Sequence, residues 1–443
     1  MVSDDKLSML EIERLTHGGR GIGRIDGKAV FVPLSAPGDR LSIRILERHQ
    51  RYDVAEIVEI LRPSLQRVVP RCPVYGPCGG CNLMHVDATG QLAAKQEVLE
   101  DNLRRIGGLA TIPPIRIIPT TPWTYRNRLK LRLRSNGEIG IFERKRDGIQ
   151  SVSGCLIADS RIDQQLALIA GWPERKRLSD QTGIESVCLR VGDLGEAGIA
   201  VWEGEQPTIG LILSAVNDLE RYCRRTSPAV APFRHVICRR DRVVWPDDSV
   251  RLRITVGNRP FEIGPLDFFQ VNGWGAEQLV AAVCEQLAAQ PVDCLVDLFC
   301  GVGFFSLCCA DLVEEVFGAD LMESSIAAAR QNSEQLKIRH ASFDVVDLVH
   351  PERAWVERLS TVCRHRRAMI LVDPPRRGLS PQLIDGLATV GTMPMIYVSC
   401  DPATFARDLA RLRAKGIRLR SLCAIDLFPQ TDHFELIACL DRG

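Results

Sequence analysis

Val296-Asp297-Leu298-Phe299-Cys300-Gly301-Val302-Gly303 carries an apolar strand directly into a Gly-x-Gly turn, and the residues after it open a helix. Glycines at that point allow a tight turn and a close approach of backbone to a ligand. The next strand ends in Asp320, where a carboxylate can accept hydrogen bonds from both hydroxyls of a ribose, although an acid there could equally cap the following helix. No Lys-Ser or Lys-Thr follows the glycines, so a triphosphate-cradling loop is excluded and an adenosine-type ligand fits better. S-adenosylmethionine is the commonest ligand of that type on such a sheet.

Working outward, strand-like runs at 294–298, 316–320, 342–346, 368–373 and 395–399 alternate with helical segments such as 323–336 and 403–415. That is the pattern of an α/β protein with a doubly wound parallel sheet. Two more runs, 419–427 and 433–440, lie too close together for a crossover helix and are expected to form an antiparallel hairpin. Ligands on such sheets lie beyond the carboxyl ends of the strands. Asp373-Pro374-Pro375-Arg376-Arg377-Gly378 follows the fourth strand and Val398-Ser399-Cys400-Asp401-Pro402 the fifth, while the reversed last strand brings His433-Phe434-Glu435 back to the same rim. Cys400, Asp373, Asp320, the Gly301 turn and Glu435 are therefore expected around one cleft. A single cysteine is ordinarily buried and inert, and Cys400 stands out only by this convergence.

Upstream of 256 the pattern changes twice. Residues 1–62 read as short alternating strands (7–15, 21–25, 28–32, 40–45, 55–60) with glycine turns, which predicts a small closed barrel of a kind often used on nucleic acid. Residues 63–255 read as a central α/β segment. It begins with a cysteine cluster at Cys72, Cys78 and Cys81, continues with an amphipathic helix over 88–106 that is expected to pack on the C-terminal domain, and then a proline-rich linker over 113–122. Strict alternation over 125–134 predicts a strand with Arg126, Arg128, Lys130, Arg132 and Arg134 on one face, turning at Ser135-Asn136-Gly137 into a return strand that ends in Arg144-Lys145-Arg146. Five cations on one strand face repel one another unless something anionic approaches, so the strand is either a phosphate-contacting ribbon or a charge-guarded edge.

The composition agrees with this division. At 443 residues the chain is long enough for two to four domains, and 45% hydrophobic with 25% charged residues excludes a disordered or collagen-like chain. Lys+Arg 56 against Asp+Glu 55 leaves a net charge of +1, so any nucleic-acid binding must be local. The first residues, Met-Val-Ser-Asp-Asp-Lys, lack the basic and apolar regions of a secretory signal, and no run approaches the ~20 apolar residues needed to span a bilayer. A cytoplasmic protein with reduced thiols and no membrane association is expected, and in that setting 16 cysteines mean packing, catalysis or metal.

Several motifs in order resemble one family. Phe268-Phe269-Gln270-Val271-Asn272, Asp297 to Gly303, Asp373-Pro374-Pro375-Arg376, Ser399-Cys400 and Phe428-Pro429-Gln430-Thr431-Asp432-His433-Phe434-Glu435 resemble the RNA uracil-C5 methyltransferases. The opening Thr16-His17-Gly18-Gly19-Arg20-Gly21-Ile22-Gly23-Arg24 with Pro37-Gly38-Asp39 resembles the TRAM domain, an OB-like RNA-binding module. Together they look like the 23S rRNA (uracil-1939-C5) branch, which joins a TRAM domain to an iron-sulfur cluster. The resemblance implies a class I, Rossmann-like methyltransferase domain over 256–443, 23S rRNA as substrate and S-adenosylmethionine as cofactor; a monomer is expected. It also implies roles: Cys400 as nucleophile, Glu435 as the base that removes the C5 proton, Gln270, Phe299, Asp320 and Asp373 as cofactor contacts, and Asp347 as the adenine-amino acceptor. Asp373 could instead bond the uracil edge.

Chemistry explains the residue types. Uracil C5 is too weak a nucleophile to take a methyl from a sulfonium, but a thiolate adding at C6 gives C5 carbanion character, and a base must then remove the C5 proton before the thiolate leaves. Two positions depart from the family. Phe304 stands where relatives carry Asn, Thr or Gly, which removes an expected side-chain contact to the methionine moiety. Asp401 replaces Asn beside the nucleophile, where a carboxylate raises the thiol's pKa unless a cation such as Arg376 or Arg377 compensates. Cys72-x5-Cys78-x2-Cys81, with Cys155 far downstream, has the three-plus-one spacing of a 4Fe-4S cluster, whereas zinc more often shows two Cys-x2-Cys knuckles. An amino-methyltransferase using Asp373-Pro374-Pro375 would want an aromatic where Arg376 stands. Cytosine-C5 enzymes use a paired-cysteine arrangement. The tRNA uracil-54 branch, on this reading, lacks the barrel and the cysteine cluster. An inactive RNA-binding iron-sulfur protein is the alternative outside enzymology.

Overall fold

The computed structural model describes residues 7–442 apart from 135, 145–147, 179–181, 241, 248, 365 and 391–393. Ser135 of the expected turn and Lys145 and Arg146 of the basic stretch lie outside the described residues.

The catalytic sheet has eight strands in the order Ala341–Val345, Glu315–Asp320, Cys294–Leu298, Ala368–Val372, Met395–Ser399, Glu435–Arg442, Ile417–Ile425 and Ile115–Ile118. The first five are parallel, and Glu435–Arg442 runs antiparallel between its two neighbours. Both faces are covered, and the period of two sorts side chains between two cores. Cys294, Val296, Leu298, Ile370 and Val372 enter one, and Leu295, Met369 and Leu371 the other. This arrangement sets the carboxyl ends of the central strands and the start of Glu435–Arg442 on one rim.

The expected linker over 113–122 is corrected by the structure. Ile115–Ile118 is a strand that pairs parallel with Ile417–Ile425 and closes the edge of the catalytic sheet. It is only four residues long and bracketed by prolines on both sides, which hid it among breaker residues. The helix before it, Ala88–Arg105, starts at Asp87, whose carboxylate accepts from the Gly90 N–H at 2.7 Å, and buries Leu99 and Leu103 in the catalytic core.

At the N-terminus six strands form a curled sheet in the order Ser8–Glu11, Arg40–Arg48, Tyr52–Arg62, Lys28–Pro33, Arg20–Ile25 and Arg14–Leu15, around Leu10, Ile12, Val30, Val32, Leu41, Ile43 and Ala55. The central segment builds a seven-stranded mixed sheet. In it the basic strand, Arg128–Leu133, lies between Ile139–Phe142 and Ser186–Arg190, so it is not an edge strand.

Two of its cations meet carboxylates, and the other three meet a ring, a thiol and a carbonyl. Lys130 pairs with Glu203, Arg134 with Glu138 at 3.5 Å, and Arg132 lies 4.9 Å from the Phe142 ring centroid. Arg128 Nε reaches Cys188 Sγ at 3.3 Å, and Arg126 Nε donates to the Arg128 carbonyl at 2.9 Å. The hairpin Leu252–Val256 with Arg259–Ile263 straddles the expected boundary at 256 and packs into the catalytic core. Among the described residues no helix is long and apolar enough to cross a membrane.

Candidate active site

The turn after Cys294–Leu298 is held in a conformation that side chains resist. Phe299 has φ +67°, and its N–H and that of Cys300 both donate to the Ala319 carbonyl, at 2.8 and 3.1 Å. Such strain persists where the surroundings over-determine it, as they do here. Gly301 and Gly303, at φ +53° and +83°, complete the turn. Asp320 faces it: one carboxylate oxygen accepts from the Gly301 N–H at 3.0 Å and the other from the Met322 N–H at 2.9 Å. The acid therefore ties the glycine turn to the residue that caps the next helix.

Asp297, to which sequence reasoning assigned no role, lies buried beneath this turn. One of its oxygens accepts from the Ser306 N–H at 2.9 Å and hydroxyl at 2.6 Å, and the other has no hydrogen-bond partner. Burial pushes its pKa up to about 7. Phe304 turns into the core, where it packs on Phe261, Phe269 and Phe305 rather than facing the cleft. Asp347 is at the same rim, but its Oδ1 accepts from the Val349 and His350 N–H groups. Gln270 is buried where the basic strand meets the catalytic domain, and its carbonyl accepts from Asn127 Nδ2 at 3.1 Å.

On the other side of the rim the structure brings Cys400, Asp373 and Glu435 together. Burial first, then the charges of Glu435 and Asp373, push the Cys400 thiol up to about 12, with Arg376 opposing and Asp401 adding to the rise. Burial and the nearby Asp297 push Asp373 up to about 7. Glu435, almost wholly buried, is held well above the carboxylate range by burial and by Asp373, again with Arg376 opposing. Burial and mutual proximity disfavour the charged forms of Cys400, Asp373 and Glu435, so a cationic ligand in this cleft would be favoured and would help them ionise.

Asp401 accepts from the Thr404 N–H at 2.7 Å and so caps the helix Pro402–Ala414. Arg376 opposes the rise of the thiol, as expected, while the group that meets Asp401 itself is His17, from the glycine loop of the N-terminal sheet, whose Nε2 lies 3.4 Å from Asp401 Oδ2. Burial alone would raise Asp401, yet the His17 and Thr404 hydrogen bonds hold its carboxyl well below the usual range. Sequence reasoning missed His17.

The same loop is stitched to the segment that precedes Glu435. The Gly18 N–H donates to Asp432 at 2.8 Å, and Asn82 Nδ2 donates to the other Asp432 oxygen at 2.6 Å and to the Gly18 carbonyl at 3.2 Å. The N–H groups of Asn82 and Leu83 donate to the Gln430 carbonyl at 3.1 and 2.9 Å. Gln430 itself has φ +70° and is clamped by Gln91, whose amide oxygen accepts from its N–H at 2.9 Å. The glycine loop, the cysteine loop and the approach to Glu435 thus form one joint.

Cys72, Cys78, Cys81 and Cys155 line a single cavity of about 190 Å³ together with Tyr75, Met84 and Arg126. Burial, and then the mutual proximity of the four, pushes the Cys81 thiol up to about 12. Among the described residues no group of three or more His, Cys, Asp or Glu could hold a metal ion, so the cysteines surround a space rather than a point.

A doubly wound sheet with an acid-backed glycine turn on its ligand rim and a cleft suited to a cation defines a class I, S-adenosylmethionine-dependent methyltransferase. Residues 235–442 match the tRNA (uracil-5-)-methyltransferase family, and residues 9–65 match the TRAM domain of tRNA (uracil(54)-C(5))-methyltransferase. A Thermosynechococcus vestitus protein named as an uncharacterized RNA methyltransferase is 33% identical over 97% of this chain and 97% of its own. The 23S rRNA (uracil(1939)-C(5))-methyltransferase RlmD of Thiobacillus denitrificans is 31% identical over 98% of this chain and 99% of its own. The chain belongs to the RNA uracil-C5 methyltransferase family.

Among solved structures, Pyrococcus abyssi tRNA (uracil-54, C5)-methyltransferase in complex with S-adenosyl-L-homocysteine matches with TM-score 0.73 and 25% identity, over 97% of this chain and all of that one. This corrects one expectation. A tRNA uracil-54 enzyme spans the N-terminal sheet too, so the barrel does not separate the rRNA branch from the tRNA branch.

Proposed function

We propose that this enzyme makes 5-methyluridine in 23S rRNA, with Cys400 as the nucleophile and Glu435 as the final base. The observation that carries the mechanism is the convergence of Cys400, Asp373 and Glu435 beside Arg376 at the ligand rim. The Cys400 thiol loses its proton and Sγ bonds to uracil C6, which places electron density at C5. S-adenosylmethionine, when bound, supplies the methyl group to C5. Glu435 then takes the C5 proton, the C6–Sγ bond breaks, and the thiolate is released, so that one proton leaves per methyl transferred. A carboxyl held above its ordinary range is a better proton acceptor than an exposed one, which suits Glu435 to this step. Asp373 positions the uracil edge or the cofactor, and Phe299, Asp320, Gln270 and Asp347 hold the cofactor. The target base must leave its stack to reach Cys400.

The four cysteines form a donor set of soft thiolates around a cavity wide enough for more than one atom, which fits a 4Fe-4S cluster held by Cys72, Cys78, Cys81 and Cys155. A cluster held there would cross-link the cysteine loop, which through Asn82 and Leu83 holds Gln430 and Asp432, and would so help position the approach to Glu435.

The rRNA target is supported by the relative named RlmD. A tRNA uridine is the second reading, favoured by the full-length likeness to the Pyrococcus abyssi enzyme. Incubating the full-length protein with S-adenosylmethionine and unmodified 23S rRNA and tRNA transcripts, then mapping 5-methyluridine by mass spectrometry, decides between them. Methylation of the 23S transcript is expected, and methylation of tRNA alone would replace the first reading with the second.

A further inference from the structure

Asp401 is adjacent to the proposed nucleophile, and its carboxylate raises the Cys400 thiol. The cap it supplies to Pro402–Ala414 does not require a charge, because Asn caps a helix as well as Asp. What the charge does meet is His17, half-exposed on a loop from the N-terminal sheet and 3.4 Å away. That loop is independently fixed: Gly18 donates to Asp432, Asn82 bridges Gly18 and Asp432, and the Gly19 backbone packs so closely on Asn82 that an added Cβ would fall 2.6 Å from its Nδ2. The imidazole is thus delivered to Asp401 by the docking of the sheet on the catalytic domain.

We propose that His17 is a positioning residue for the methyl-transfer site, whose imidazolium neutralises Asp401 and so makes the Cys400 thiol easier to ionise when the N-terminal sheet is docked. This rests on the reading of Cys400 as the nucleophile. Coulomb attraction between groups at this separation is sizeable where water is partly excluded, and Cys400 faces Glu435, Asp373 and Asp401 with Arg376 opposing them. The groups facing His17 are Asp401 and Asp432, which hold it protonated, and Arg376 and His433 nearby. The Asp401 hydrogen bond, the largest influence, raises its pKa, so the cation persists toward neutral pH and is lost as pH rises through that raised value. The module taken for an RNA grip would then also arm the thiol.

The test reads thiol ionisation directly, without RNA. Full-length protein is alkylated with iodoacetamide from neutral to alkaline pH, and the rate at the Cys400 peptide is followed by mass spectrometry. His17→Ala is expected to leave about tenfold less thiolate at neutral pH, where the wild-type imidazolium is present, and to leave the alkaline rate, where it is not, little changed. His17→Gln, which keeps a polar side chain in the docked loop, should do the same. In an Asp401→Asn background the His17 substitutions should change the neutral-pH rate by less than about twofold. Looser docking alone would alter the accessibility of Cys400 and so the rate at every pH alike. An unchanged neutral-pH rate in both His17 variants, a change of the same size at alkaline pH, or an equal change in both backgrounds, overturns the proposal. Methyl transfer by Cys400→Ala would instead sink the nucleophile reading and leave the measured charge coupling standing.

Discussion

Glu435 and Cys400 face opposite demands from the same burial. On the proposed mechanism each must be deprotonated at some point in the cycle, while burial raises the pKa of both. Activity of the free enzyme is accordingly expected to rise with pH through neutrality, measured as kcat/KM against pH. Glu435→Gln should lower turnover by about 10²- to 10⁴-fold, while a methylated covalent protein–RNA adduct accumulates and is detected by denaturing gel. Stability follows the same groups with a definite sign. Asp297 and Asp373 at about 7, and Glu435 above its ordinary range, all have folded pKa values raised above the unfolded ones. Their contribution is complete below the unfolded carboxylate pKa and is lost as pH rises through the folded values. Glu435→Gln removes one of them, so its Tm should fall less than that of the wild type between neutral and alkaline pH. At this scale the motifs placed Cys400 and Glu435 on one rim, where the structure brings them together. The motifs could not reveal His17, because the loop that carries it meets its partners across as many as 414 residues of chain.

Among elements, the parallel strands and their helices were legible because each is a long apolar run with its own period. Ile115–Ile118 was not, since its pairing with Ile417–Ile425 comes from the other end of the chain while its own prolines signal a break. The basic strand shows a similar limit. Its alternation was readable, but not its interior position, because the neighbour Ser186–Arg190 is supplied by distant sequence. The segment before Glu435 depends on Gln91 of the helix Ala88–Arg105, whose amide nitrogen donates to the Leu83 and Val86 carbonyls and to Gln430 Oε1 while its oxygen holds the Gln430 N–H. Gln91→Ala leaves buried polar groups unpaired and should cost about 1–3 kcal/mol in denaturant unfolding.

For the molecule as a whole, the 16 cysteines divide by their surroundings. Four line one cavity and one sits at the ligand rim. If the cavity holds a 4Fe-4S cluster, the full-length protein contains iron and sulfide and absorbs in the visible. Cys81→Ser should abolish that absorption and lower methyl transfer by about tenfold or more, through the loosened joint at Gln430 and Asp432. An unchanged rate with the cluster gone would remove its positioning role.

The central claim is covalent catalysis by Cys400, and RNA carrying 5-fluorouridine at the target tests it most directly, since fluorine cannot leave C5 as a proton. With S-adenosylmethionine, the wild-type protein should form a complex stable to denaturing electrophoresis, and Cys400→Ala should form none. No trapped complex with the wild type, or one that survives Cys400→Ala, would contradict the account.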